Sequence, residues 1–191
     1  MDKENKLIIG IAAVFAVIVV LLAINGMFNG MIEKRNAVDK SWGDVQTSYQ
    51  ARLDTIPKFV ETAKFSIDFQ KKLAIDYAAA REKLSNPGPK DDLASYQTTA
   101  DNNFDALVIN VRQEAVPEAK LDQLTELNSE IDSAERVIRH QRDAYNQRVK
   151  EYNDATQFFP NSWFAGMWKF EARKYFEADK EASKSPEVKL L

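Results

Sequence analysis

Apolar positions follow three patterns along this chain. From Leu7 to Ile24 (LIIGIAAVFAVIVVLLAI) no side chain is charged or strongly polar. From Gly30 to Gln157 apolar residues return at steps of three and four, the period of helices that each bury one face. From Phe158 to Phe176 (FFPNSWFAGMWKFEARKYF) that period is lost and aromatic residues crowd together.

The first pattern predicts a transmembrane helix over residues 7–28, behind a short polar N-terminus, 1–6. At ~1.5 Å per helical residue, Leu7 to Ile24 covers about 27 Å, and Met27 and Phe28 extend it toward the ~30 Å of a hydrocarbon core. A cleavable signal peptide would have a shorter apolar region and a small-x-small cleavage site. Ala23-Ile24-Asn25 and Asn25-Gly26-Met27 fit that poorly, so a retained single-pass anchor is expected. Lys3 and Lys6 before the run, against Lys34, Arg35 and Lys40 after it, leave the orientation undecided. Gly10 has no Gly-x-x-x-Gly partner within the run, which supports pairing through it only weakly.

The second pattern predicts four helices over 30–157. In the first, Val38, Trp42, Val45, Tyr49, Leu53 and Ile56 share one face. Asp54-Thr55-Ile56-Pro57 reads as a cap with Pro just inside a new helix, so a turn is expected near 54–57; a kinked continuous helix is the alternative. The second helix is then expected from about Lys58 to Leu84, with Val60, Ala63, Ile67, Ala74 and Tyr77 on one side. Ser85-Asn86-Pro87-Gly88-Pro89 ends it. Asp91 or Asp92 caps a third helix with the face Leu93, Tyr96, Ala100, Phe104, Leu107 and Val111, and Pro117 closes it and opens the fourth. There Leu124, Ile131, Ile138, Tyr145 and Tyr152 fall at heptad spacing, a coiled-coil-like seam ending near Gln157. No alternating strand pattern occurs in the sequence. The third pattern, 158–176, predicts a short amphipathic aromatic helix, and the Lys-, Glu-, Ala- and Ser-rich 177–191 a mobile tail.

Composition narrows the function classes. The net charge of −3, with no run of Lys and Arg longer than two, argues against a nucleic-acid partner. The absence of cysteine removes disulfides, thiolate metal sites and a Cys nucleophile. Charged residues make up 29% of the chain, which suits a protruding soluble bundle rather than a pore, for which several spans would be needed.

Several short stretches together resemble one family. Lys34-Arg35-Asn36-Ala37-Val38 with Trp42 and Asp44-Val45-Gln46 is similar to the start of the LemA family domain. Arg52-Leu53-Asp54-Thr55-Ile56-Pro57-Lys58-Phe59-Val60-Glu61-Thr62 resembles that family's most recognisable stretch. Ala80-Arg81, Ala144-Tyr145-Asn146, Glu151-Tyr152-Asn153 and Phe159-Pro160 follow in order. The resemblance implies an all-α fold, an up-and-down four-helix bundle behind one transmembrane helix, and it implies no enzyme activity and no cofactor. The chain departs from the pattern in having only Arg52 as the basic residue before Asp-x-Ile-Pro, and Ser66-Ile67-Asp68-Phe69-Gln70 in place of an acidic-His element.

The residues offer little chemistry. A di-iron carboxylate site in a four-helix bundle needs two Glu-x-x-His pairs, and the only histidine, His140, has Val137 at the required position. No H-E-x-x-H, phosphate-loop or G-x-S-x-G element exists. Two polar or aromatic groups have a physical reading instead. Arg35, Asn36, Asn146 and Asn153 are expected either to form a membrane-proximal hydrogen-bonded cluster that fixes the register of the first and fourth helices, or simply to face water. Trp163, Phe164, Met167, Trp168 and Phe170 are expected on one side of a short helix, where they would contact the membrane interface, cap the core or pack along the first helix, or meet a partner protein. The expected function is a membrane-anchored, non-enzymatic scaffold with the lipid bilayer as partner through 7–28, a protein partner and scope for a homo-oligomer. The alternative is a sensor bundle binding a small ligand between helices.

Overall fold

The computed structural model describes residues 3–85, 92–115 and 121–177. Among these residues the fold is all-α, with five helices: α1 (Lys3–Thr62), α2 (Ile67–Ser85), α3 (Leu93–Glu114), α4 (Leu121–Gln157) and α5 (Asn161–Ala165). The loop at 86–91, the break at Pro117 and the tail beyond Glu177 lie outside the described residues. The chain divides into two compact units, Met1–Lys40 with Arg148–Arg173, and Ser41–Gln147 with Lys174–Leu191.

α1 corrects the expected turn at 54–57. It runs unbroken through Pro57 for 60 residues, so the apolar run and the first bundle helix are one helix, and the second helix starts at Ile67, not Lys58. Proline inside a helix costs ~3 kcal/mol. Leu53, Ile56, Phe59, Val60 and Ala63 are all buried on one face, and holding them there outweighs that loss. The real stop is at Lys64, seven residues beyond Pro57. Lys64 takes a left-handed φ of 52°, the Lys64 amide donates to the Glu61 carbonyl (3.2 Å) and the Phe65 amide to the Val60 carbonyl (3.4 Å). This is a Schellman closure with lysine in the position glycine usually fills, and the apolar pair that accompanies it is Val60 and Phe65, both buried.

The second unit builds its core from α1 beyond Ser41, α2, α3 and the first part of α4. Trp42, Val45, Tyr49, Leu53 and Ile56 of α1 face inward with Leu73, Ala80 and Leu84 of α2. Leu93, Tyr96, Ala100, Phe104, Leu107 and Val111 of α3 and Leu127, Ile131, Ile138 and Tyr145 of α4 complete it. Tyr96 stands edge-on to Trp42 (5.0 Å) and Tyr49 (5.6 Å), and Trp42 edge-on to Tyr145 (6.0 Å). Two polar ties add direction. Arg52 reaches Asp101 at 2.6 Å, and the Tyr77 hydroxyl donates to Asp54 at 2.5 Å. Asp92 caps α3 by accepting from the Ser95 amide (3.1 Å). On α2 the expected face shifts: Ile67 and Ala74 are exposed, because Val60 and Ala63 belong to α1 and the helix starts in a different register.

The first unit holds α1 up to Lys40, the end of α4, α5 and the segment to Arg173. Met31 and Val38 of α1 and Val149 and Tyr152 of α4 are buried in it. α5 is shorter than the expected aromatic helix. The Trp168 amide still donates to the Phe164 carbonyl (2.9 Å), but Lys169 at φ 57° then closes the turn, with the Phe170 amide on the Ala165 carbonyl (2.9 Å). The Lys-Phe pairs 64–65 and 169–170 therefore stop two helices in the same way.

Candidate interaction sites

The apolar run of α1 presents its side chains outward. Leu7, Ile8, Ile9, Ile11, Val14, Phe15 and the residues through Leu22 are all exposed, and the stretch has a mean hydropathy of 3.3. This is one helix long and apolar enough to cross a membrane.

Near the end of that run, within the first unit, the aromatic segment returns to α1. Phe28 meets Trp168 edge-on at 5.0 Å and Phe170 at 5.8 Å, and the Arg35 guanidinium lies over the Phe170 ring at 5.3 Å. The five expected interface residues therefore separate. Phe170 is buried past the helix stop, Phe164 and Trp168 stack on each other at 5.1 Å and are half-buried, and only Trp163 (76% exposed) and Met167 face outward. Phe158 and Phe159 (72% exposed) join them, and Phe159 meets Trp163 edge-on at 5.2 Å. Sequence reasoning missed those two because they lie before α5; their signal is that two consecutive phenylalanines leave no polar face for solvent.

The asparagines have partners other than those expected. In the first unit Asn153 uses both ends of its amide on one residue: its Nδ2 donates to the Arg173 carbonyl (3.0 Å) and its Oδ1 accepts from the Arg173 amide (2.9 Å). The Tyr152 hydroxyl donates to the Glu171 carbonyl (2.9 Å), and Arg173 reaches Asp39 at 3.2 Å. In the second unit Asn146 does the same to Phe176, donating to its carbonyl (3.0 Å) and accepting from its amide (2.8 Å), while the Tyr145 hydroxyl donates to the Lys174 carbonyl (3.3 Å). The Phe176 ring is buried against Trp42, Tyr145 and the Arg142 guanidinium. Residues Phe170–Glu177 have no regular structure, and within each unit one Tyr-Asn doublet of α4 holds the part of this strap that belongs to that unit by its peptide groups. Arg35 serves Phe170, as above, and Asn36 is exposed. The amides fix a strap rather than the register of two helices, because an extended chain has unpaired peptide groups to offer and a helix side does not.

Electrostatics in the described residues is structural. Burial pushes the Tyr96 hydroxyl well above its ordinary value, and burial, opposed by the Arg173 charge, raises Tyr152. Tyr77 is raised by burial and by donating to Asp54. His140 is exposed, and no group of three or more His, Asp or Glu side chains among the described residues is arranged to hold a metal ion. A groove of about 220 Å³ between α1 and α2 is lined by Pro57, Val60, Glu61, Gln70, Leu73 and Ala74. A second hollow of about 360 Å³ between α2 and α3 is lined by Ser66, Asp68, Phe69, Lys72, Asn110, Gln113 and Glu114.

The residues that carry the family resemblance hold these ties: Arg52 and Asp54 in the core of the second unit, Arg81 on Asp54 (3.4 Å), and the doublets at 145–146 and 152–153 on the strap. No curated protein and no solved structure matches the chain. Residues 41–190 match the LemA family, most of the chain's length, and the chain belongs to that family.

Proposed function

We propose that this LemA-family chain is a single-span, membrane-anchored helical scaffold, acting without catalysis through protein–protein or membrane-surface contact. The observation that carries this reading is the Phe28–Trp168 contact at 5.0 Å. Phe28 lies just beyond Ile24, where the apolar run ends, about 6 Å further along α1 at ~1.5 Å per residue. With the run in lipid, the exposed Phe158, Phe159, Trp163 and Met167 sit at the headgroup level, where aromatic side chains gain most. The charged exterior beyond them is left for a protein partner.

Two measurements test it. After an alkaline wash of membranes the full chain stays in the pellet; release into the supernatant overturns the anchor. In vesicles containing brominated lipid, tryptophan emission of the full chain is quenched, and Trp163→Phe removes most of that quenching. Equal quenching with and without Trp163 overturns the surface contact.

A further inference from the structure

Several cations of the first unit are held by carboxylates of the same unit. Arg173 reaches Asp39 (3.2 Å), Arg148 reaches Glu151 (3.0 Å) and Lys150 reaches Asp154 (2.7 Å). Others have no such partner: among the described residues the side chains of Arg35 and Lys169 make no hydrogen bond and no ion pair. Arg35 is the sharper case. Asp39 stands one turn further along α1 but is taken by Arg173, and the half-buried Arg35 guanidinium lies over the Phe170 ring at 5.3 Å instead. A ring under the flat of a guanidinium leaves the N–H groups at its edge to be met. Those groups match two oxygens of one phosphate.

The direction of α1 brings this charge back toward the apolar run. Phe28 and Arg35 are about 10.5 Å apart along the helix axis. Helical side chains lean toward the N-terminus, which on α1 is the apolar end. The ring under the guanidinium meets Phe28 edge-on at 5.8 Å, so the charge lies one ring away from the residue that closes the apolar stretch. Lys169 precedes that ring in the chain; it is exposed and follows the exposed Met167 by two residues. A headgroup layer adds roughly 5–7 Å to each side of a hydrocarbon core, and lipid phosphates lie within it. With the apolar run in lipid, that layer begins near Phe28 and takes in both cations.

We infer that Arg35 and Lys169 form a site for the phosphate of a membrane lipid whose headgroup carries no cation of its own. The site rests on the membrane reading above and adds to it the lipid chemistry that the protein surface meets. Arg35 supplies paired donors in a fixed plane, and Lys169 a point charge on a flexible stem. Phe170 already holds the guanidinium in place, so little freedom is lost when a phosphate arrives. A choline headgroup would compete with both side chains for the phosphate oxygens, whereas a glycerol headgroup leaves them free.

The test uses the full chain in detergent micelles, with bound lipid counted by native mass spectrometry. Separate samples receive phosphatidylglycerol, phosphatidylcholine of the same acyl chains, or inorganic phosphate. The unaltered chain is expected to retain phosphatidylglycerol several-fold better than phosphatidylcholine and better than inorganic phosphate. Arg35→Gln and Lys169→Gln are each expected to lower phosphatidylglycerol retention about fivefold and to leave phosphatidylcholine retention as it was. Arg35→Lys, which keeps the charge and loses the planar fork, is expected to fall between the two. Lys169→Gln, at an exposed position, decides the matter should Arg35→Gln prevent folding. Equal retention of the two lipids, equal retention by all variants, or inorganic phosphate held as well as the lipid overturns the inference. The membrane reading is judged apart from it, by quenching of Trp163 in the unaltered chain. If that quenching holds while lipid retention ignores both cations, the phosphate site alone falls.

Discussion

α1 uses the same residue types in two opposite ways. From Leu7 to Leu22 leucine, isoleucine and valine cover the whole circumference and stay exposed, whereas from Val38 to Val60 they occupy one face and are buried. The first stretch has no polar face to leave in water, so it asks for an apolar surrounding on every side, as a membrane span would have. The second carries its polar residues on the opposite side and needs other helices. The contrast teaches that distribution around the helix, more than hydrophobicity as such, decides whether the bundle covers a side chain.

The sharpest way to break that comparison is to remove the same atoms from both stretches. Leu53→Ala, at a site 1% exposed, is expected to cost about 3 kcal/mol in thermal or urea unfolding of the full chain in detergent. Leu21→Ala, at a site 60% exposed, should leave the same transition in place, and equal shifts would sink the contrast. The next effect concerns a charge in the buried stretch. The Arg52 side chain is 8% exposed, lies 4.4 Å from the Phe104 ring centre and depends on Asp101, which is 39% exposed. Asp101→Asn is expected to cost about 2 kcal/mol, less than breaking a fully buried pair because water reaches the aspartate.

A smaller effect separates the strap from the helices. Asn153→Ala removes both bonds to Arg173 and is expected to lower stability by about 1 kcal/mol. Limited proteolysis should then cut within residues 170–177 several-fold faster while cleavage in α3 is unchanged. The smallest is at Tyr96, whose hydroxyl is buried with no hydrogen-bond partner. Tyr96→Phe should change stability by no more than about 0.5 kcal/mol at pH 7, since no bond is lost. Its effect appears in alkali. Burial holds the folded hydroxyl above its ordinary value of 10.0, so above pH 10 the unfolded chain releases a proton that the folded chain keeps, and stability falls as pH rises. The variant should lose less stability between pH 10 and 11 than the parent, as read from thermal unfolding.

The helix faces were legible because burial repeats. Val38, Trp42, Val45, Tyr49, Leu53 and Ile56, and every residue named on the third helix, are buried, and Asp92 is the cap. Breaks were less legible. Pro57 signalled a turn that burial of the flanking face overrides, while the true stops at Lys64 and Lys169 use lysine where glycine is the usual sign. The strap was illegible as an element, because an extended segment held by another helix leaves no period in its own residues. Its trace is the pair of asparagines, Asn146 and Asn153, which the sequence alone points toward a polar cluster with Arg35 and Asn36. The exposed half of the aromatic site was found only at Trp163 and Met167, since a presumed single helix hid the Lys169 stop.

Because the doublets hold the strap by its peptide groups and, of its side chains, by the Phe176 ring, four strap positions are released from selection for fit. Glu171, Ala172, Lys174 and Tyr175 can drift in identity while the grip persists, so long as none becomes a ring that bars the extended path. Arg173 and Phe176 cannot become proline, since each lends its amide hydrogen to an asparagine. A surface that tolerates so much variation beside two fixed anchors is free to acquire new specificities without unfolding what lies beneath it.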